Sequence, residues 1–86
     1  MLTTVSIETI SRQAIAEYPS ECCGIVTGTG PTQRVHPCRN RQDELHAKDP
    51  ENHPRTSRDA YDIDRHEMER IFADAAARGE QVICFY

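Results

Sequence analysis

The segment that most constrains the fold is the nearly all-apolar run over residues 81–86, Gln-Val-Ile-Cys-Phe-Tyr. A run of this kind is typical of a central strand that is covered on both faces. The rest of an 86-residue chain, in which 37% of residues are hydrophobic and 28% charged, must supply both covers. A chain this short buries only about 60–65% of the surface that its unfolded form exposes. We therefore expect one small domain with little core to spare.

Two amphipathic segments are predicted to be helices. In the first, apolar residues follow a Ser6 cap at a spacing near 3.6, and Pro19 ends the pattern. Its stripe consists of Ile7, Ile10, Ala14 and Tyr18. In the second, Asp64 and Glu67 form a start like a capping box, and Gly79 is the expected left-handed terminator. Its stripe, which we interpret as core packing, consists of Met68, Ile71, Phe72, Ala75 and Ala76.

Three further segments are predicted to be strands. Residues 21–27 and 33–38 flank the turn cluster Gly28-Thr29-Gly30-Pro31 and are predicted to form a hairpin. Because of Pro37, the second strand can pair with the first only near its end or on an edge. Residues 60–63 form one short strand. The predicted class is α/β (α+β), a mixed β-sheet flanked by two helices in the order α-β-β-(long loop)-β-α-β. Residues 39–58 are charged, proline-punctuated and almost free of apolar residues, which predicts a long polar loop, either functional or disordered.

The charge pattern excludes two classes of partner. Ten Lys and Arg against fourteen Asp and Glu give a net charge of −4, and the basic residues do not cluster, so we expect no nucleic-acid binding. No run approaches the roughly 18 apolar residues of a membrane span, and no secretion signal follows Met1. The expected location is cytoplasmic.

The cysteines and histidines lack the spacing of a metal or redox motif. No C-x-x-C pair exists among Cys22, Cys23, Cys38 and Cys84, which favours reduced, mostly buried thiols over metal or redox use. No pair at i and i+4, as on a zinc-binding helix, occurs among His36, His46, His53 and His66. A small cysteine-based metal or redox protein remains a third-ranked alternative.

The apolar terminal run has a second implication. A buried strand that ends without a turn or a cap leaves its last backbone groups without partners. This predicts a truncated domain, and self-association through that strand.

The order of these segments resembles the N-terminal half of a JAMM (MPN+/Mov34) metallopeptidase domain, most closely the small bacterial members. Pro19, Glu21 and Gly24 match the Pro-x-Glu-x-x-Gly segment that follows the first helix in that family. The run over 82–86 matches the strand that leads into the His-x-His-Pro zinc motif. The resemblance implies that residues 1–86 are a single partial JAMM/MPN domain with a cytidine-deaminase-like fold.

The resemblance also implies a function. The complete domain would be a zinc-dependent metallopeptidase or isopeptidase that processes the C-terminus of a ubiquitin-like sulfur-carrier protein. Glu21 matches the catalytic glutamate, a general base and then general acid that is not itself a metal ligand. Because the His-x-His…Asp motif is absent from these residues, we expect this chain alone to be inactive and to hold no zinc. The alternative is a non-catalytic MPN-like scaffold or interaction module.

Overall fold

The computed structural model, which describes all 86 residues, contains three helices and a three-stranded antiparallel sheet. In chain order the elements are α1 (Thr4–Glu17), β1 (Cys23–Gly28), β2 (Gln33–Cys38), α2 (Gln42–Lys48), α3 (Arg65–Ala77) and β3 (Gln81–Phe85). The strand order β2-β1-β3 places β1 in the centre, where all six of its residues are buried. The predicted α+β class is confirmed.

The sheet differs from the predicted one in two respects. It is entirely antiparallel rather than mixed, because β3 returns antiparallel to β1. The predicted strand at residues 60–63 is absent. The Ala60 carbonyl and the Asp62 N–H bond to the side chain of Asn40, and the Asp62 carbonyl accepts from the backbone N–H of Arg41, so no strand ladder forms. Only Ile63 of this segment reaches the core.

The segment predicted as a polar loop, 39–58, contains the short helix α2. Asp43 and Glu44 lie in its first turn and Lys48 in its last, which complements the helix dipole. Hydrophobic periodicity could not indicate this helix, because Leu45 is its one large apolar residue.

The two faces of the sheet are covered by different helices. On one face, Ile71 of α3 joins the buried residues Cys23, Ile25, Cys38 and Ile63, and Phe72 meets Phe85 edge to face with ring centroids 6.1 Å apart. Side chains alternate along a strand, so Gln33 points to the opposite face. There it accepts hydrogen bonds from the Thr3 N–H (2.9 Å) and the Ser6 hydroxyl (2.8 Å) of the α1 end.

Helix α3 follows the sequence expectation closely. The Asp64 carboxylate accepts from the backbone N–H groups of His66 and Glu67, as an N-cap does. Gly79 ends the helix with φ of 71°. Ile71 and Ala75 are buried and Met68 and Phe72 pack against the core, whereas Ala76 is exposed.

Helix α1 departs from the expectation. Its cap is Thr3 rather than Ser6, and Ser6 is instead the one buried residue of the helix. The predicted apolar stripe is largely exposed, with Ile7 at 50% and Tyr18 at 80%. The helix is held on the sheet mainly by polar contacts that involve Gln33 and Gln13. The spacing of apolar residues does not indicate such contacts. No helix has the length and apolar character needed to cross a membrane.

Gly24 is required by a close approach within the sheet. A Cβ at this position would overlap the ring carbon Cζ and the hydroxyl of Tyr86 and would lie against the main-chain oxygen of His36. The Tyr86 hydroxyl donates to Gln13 on α1, so the ring cannot move away without losing that contact.

We therefore expect Gly24→Ala to lower the melting temperature by several degrees or more, because overpacking typically costs about 1–3 kcal/mol and backbone cannot give way. The matched control is Gly30→Ala, where φ is 84° but nothing lies within 4 Å of the added Cβ. Thermal unfolding followed by circular dichroism measures both. A loss for Gly24→Ala no larger than that for Gly30→Ala would contradict the close-approach argument.

Strand β3 forms an outer edge of the sheet. It pairs with β1 alone, carries no charged residue, and exposes Val82 and Phe85. An uncharged, apolar edge strand is a template for pairing with another chain.

We predict concentration-dependent association of the chain through this edge, to be weakened by Val82→Lys because a lysine on an edge strand opposes pairing. Val5→Lys makes the same change at an exposed valine on α1 and serves as the control. Sedimentation velocity over a range of concentrations is the measurement. A monomeric wild-type chain, or equal effects of the two lysines, would show that the edge is not the contact.

Candidate functional site

Glu21 lies just before β1, and its main chain is held from both sides. Its backbone N–H donates to the main-chain oxygen of Ser57 (2.5 Å), and its carbonyl accepts from Asn40 Nδ2 (3.0 Å). The side chain is exposed and its carboxylate makes no hydrogen bond or salt bridge. The result is a free carboxylate on an immobilised backbone.

Ser57, one of the two anchors, is itself held by a carboxylate. Asp43 Oδ1 accepts from the Ser57 N–H (2.7 Å), and Asp43 Oδ2 accepts from the Ser57 hydroxyl (2.8 Å). These two hydrogen bonds, the backbone one first, lower the pKa of Asp43 below its ordinary value and keep it an acceptor. The hydroxyls of Ser20 and Ser57 are 2.9 Å apart. Ser20 precedes Glu21, so this contact also restrains the chain immediately before Glu21.

Asn40, the other anchor, makes four hydrogen bonds to three segments of the chain. Its Nδ2 donates to the carbonyls of Glu21 (3.0 Å) and Ala60 (3.0 Å). Its Oδ1 accepts from the N–H groups of Gln42 (3.0 Å) and Asp62 (3.2 Å). Beside the two anchors lies a cavity of about 230 Å³ lined only by polar residues: Glu17, Ser20, Arg39, Asn40, Asp43 and Ser57.

The C-terminal end of β3 reaches Gly24, three residues after Glu21. Gly24 and Tyr86 exchange two backbone hydrogen bonds of 3.1 and 3.0 Å, which extends the register that pairs Ile25 with Phe85. Since β1 and β3 are antiparallel, the direction in which β3 runs points along β1 toward Cys23, Cys22 and Glu21. The site is therefore formed where the first strand begins and the third ends.

The cysteines are free thiols, and the structure places two of them in the core. Cys23 and Cys38 are directly opposite each other on β1 and β2 and are both buried. Burial raises the pKa of Cys23 to about 11 and that of Cys38 to about 12, and it raises the pKa of Cys22. Protonated, buried thiols are poor nucleophiles and poor metal ligands. Cys84 is partly buried on β3.

The histidines are dispersed. His46 Nδ1 lies 2.8 Å from the main-chain oxygen of His53, within the α2 region, and His66 is exposed in the first turn of α3. His36 Nε2 lies 2.8 Å from the hydroxyl of Thr27, on the strands and away from Glu21.

A catalytic or structural zinc requires three or four converging ligands. No group of three or more His, Cys, Asp or Glu side chains converges anywhere in the chain. The residues present therefore do not fit a zinc ion.

The sequence predicts Glu21 as a candidate site residue but does not indicate the residues that hold it. Asn40, Asp43 and Ser57 lie in the segment that is predicted to be a polar loop. One signal was available for Asn40. An Asn that follows a strand readily accepts a hydrogen bond from the N–H two residues later, as Asn40 does from Gln42. Nothing in the sequence indicates the 14-residue span between Asp43 and Ser57.

Comparison with known proteins identifies the family. A model of prokaryotic homologs of the JAB domain matches residues 4–86. The chain belongs to the Prok-JAB family. This confirms the JAMM/MPN resemblance and accounts for the arrangement of helices around an antiparallel sheet, which is consistent with a JAB/MPN-like fold.

One curated protein is similar in sequence to part of this Prok-JAB chain. Tail tip assembly protein K of Escherichia phage N15 is 49% identical over 35 residues, which is 41% of this chain and 14% of that protein. The chain thus corresponds to only a small part of its relative. No solved structure gives a significant match.

His36 leads to a prediction about pH. Burial, against the opposing charge of Glu80, lowers the pKa of His36, so the folded state favours the neutral ring. Below the unfolded value of about 6.5 the unfolded chain binds a proton that the folded chain resists. Stability should therefore be complete above that pH and fall as the pH drops below it.

We expect the melting temperature to fall between about pH 7 and about pH 5.5, and this slope to flatten in His36→Gln. The carboxylates with lowered pKa values, such as Asp43 and Asp64, titrate at lower pH and do not contribute in this window. Thermal unfolding at several pH values is the measurement. An unchanged slope in His36→Gln would assign the pH dependence to other groups.

Proposed function

We propose that this chain carries the proton-transfer carboxylate, Glu21, of a JAB metallopeptidase. The observation that supports it is the combination found at Glu21: both main-chain polar groups are anchored, and the carboxylate is exposed with no partner. A solvated glutamate at a strand end has no need of two dedicated anchors. A general base, in contrast, must lie within hydrogen-bond reach of the proton that it removes.

The chemistry proposed for Glu21 is peptide hydrolysis. The carboxylate accepts the proton of the attacking water and then delivers it to the leaving amine. A metal, when bound in a protein of this family, supplies a polarised carbonyl and an activated water. Since the 86 residues contain no converging ligand set, the ligands would have to come from other residues, and the chain alone should not hydrolyse peptides.

The register of β3 suggests where such ligands would belong. A segment that continued β3 in the same register would lie beside Cys23, Cys22 and Glu21 in turn. Metal-binding side chains on that segment would come within reach of the Glu21 carboxylate. This geometry supports the role of Glu21 near a metal without making it a ligand.

The proposed substrate is a ubiquitin-like sulfur-carrier protein with a C-terminal extension. The basis is the resemblance to small bacterial JAMM peptidases, in which the Pro-x-Glu-x-x-Gly segment follows the first helix. A second candidate function is supported by the 49% identity to a tail tip assembly protein. In that case the chain would act in phage tail assembly, either as a peptidase or as an interaction module without catalysis.

The test of Glu21 uses these residues joined to the metal-binding half of a JAB peptidase. Glu21→Gln keeps the size of the side chain but cannot accept a proton, so turnover should fall by about 10²–10⁴-fold while metal content is unchanged. Glu8→Gln makes the same change at an exposed position on α1, outside the polar cavity, and should retain turnover. Cleavage of an extended sulfur carrier and metal content are measured together.

The outcomes separate the candidates. If Glu21→Gln keeps more than about a tenth of wild-type turnover with metal bound, the catalytic assignment is wrong. If the wild-type protein cleaves no sulfur carrier but restores tail formation to a phage that lacks its K protein, the assembly function replaces the proposed substrate. Restoration by Glu21→Gln as well would favour the non-catalytic module.

A further inference from the structure

We propose that Asn40 is a positioning residue for Glu21, an inference that rests on the peptidase function proposed above. Asn40 does not face the reacting atoms. Its carboxamide links the Glu21 main chain to two other segments of the chain. By fixing that main chain, it fixes the point from which the Glu21 side chain extends.

The hydrogen-bonding capacity of Asn40 is completely used. Its two N–H donors meet the carbonyls of Glu21 and Ala60, and its oxygen accepts from the N–H groups of Gln42 and Asp62. An amide carries two donors and an oxygen with two lone pairs. Only one orientation of the amide satisfies two carbonyls and two N–H groups at once, so the geometry of all four contacts is coupled.

Glu21 depends on these contacts because it lies outside the sheet. Strand β1 begins at Cys23, two residues later, so strand pairing does not immobilise Glu21. Asn40 holds the carbonyl and Ser57 holds the N–H. With both main-chain groups fixed, the carboxylate moves only by rotation about its own side-chain bonds.

Asn40 also links Glu21 to the rigid part of the molecule. Asn40 accepts a hydrogen bond from the N–H of Asp62. The Asp62 carboxylate pairs with Arg41 (3.1 Å), and Arg41 also pairs with the helix cap Asp64 (3.0 Å). The chain of contacts therefore runs from Glu21 to the start of α3, which covers the core. A displacement of about 1 Å at a catalytic group can cost about 10²-fold in rate, so anchoring of this kind has a direct catalytic consequence.

Asn40→Asp isolates this role. The aspartate has the same shape and still accepts from Gln42 and Asp62, but it cannot donate to Glu21 and Ala60, and its oxygen would face their carbonyls. The matched control is Asn52→Asp, which makes the same change at an exposed position where Asn52 Nδ2 donates to Asp49 (2.7 Å). Asn40→Ser, which removes the amide without adding a charge, is the second variant.

The first measurement is backbone ¹⁵N relaxation on the 86-residue chain. The Cys22 amide shares its peptide plane with the Glu21 carbonyl that Asn40 holds. In wild type this amide should be rigid, with an order parameter of about 0.85, and in Asn40→Asp it should fall below about 0.6. The amide of Ile25, inside β1, should not change, and Asn52→Asp should leave both unchanged. A purely global loss of stability would not single out the Cys22 amide in this way.

The second measurement is the kinetics of the joined peptidase. Asn40→Asp should lower kcat by about 10²-fold with KM nearly unchanged, whereas Asn52→Asp should change neither. A rigid Cys22 amide in Asn40→Asp, or an unchanged kcat in that variant, would overturn the inference. Unfolding of both Asn40 variants would assign Asn40 to folding rather than positioning and would overturn it as well.

The two proposals fail in different ways. A wild-type joined protein with bound metal but no peptidase activity defeats the proposed function. The relaxation experiment then still decides whether Asn40 holds Glu21 in place. A mobile Cys22 amide in Asn40→Asp together with full activity defeats the positioning role alone.

Discussion

The complete burial of β1 is the constraint on which the rest of the structure depends. A buried strand needs a hydrogen-bonding partner on each edge and a cover on each face. β2 and β3 supply the edges, α3 supplies one apolar face, and α1 covers the other through Gln33 and Gln13. Gly24 is essential to this arrangement, because the Tyr86 ring passes directly over it to reach Gln13. A side chain at that position would force apart the strands that the core requires.

The segment between β2 and α3 is organised by a different kind of interaction. Only Ile63 joins the core there, so burial of apolar surface cannot order it. Asn40 and the Asp43–Ser57 pair replace that driving force with hydrogen bonds to main-chain groups, each worth roughly 1 kcal/mol in net stability. The same contacts anchor Glu21. The polar segment and the candidate catalytic residue are therefore ordered by one hydrogen-bond network. A substitution that displaces one of them should displace the other.

The parts of the fold that are ordered by local and apolar signals could be predicted from the sequence, and the parts that are ordered by polar contacts could not. Helix α3 was predictable because its cap, its stripe and Gly79 are local signals of sequence periodicity, and the β1–β2 hairpin was predictable from its glycine turn. Helix α2, the absent strand at 60–63 and the role of Ser6 were not. Each depends on polar contacts between residues far apart in sequence, such as Ser6 with Gln33. Apolar spacing carries no information about such contacts. The position of Glu21 followed from a family motif, but its anchoring followed only from the coordinates.

The site also separates two requirements that a metallopeptidase normally combines. One is a proton-transfer group in a fixed place, and the other is a set of converging metal ligands. In this Prok-JAB chain the first role is the one proposed for Glu21, and no group of side chains satisfies the second. An interaction module would need neither, and its surface would be selected for contact area rather than for a free carboxylate on an anchored backbone. The anchoring of Glu21 by Asn40 and Ser57 is therefore the feature that supports the proposed catalytic role over a purely structural one.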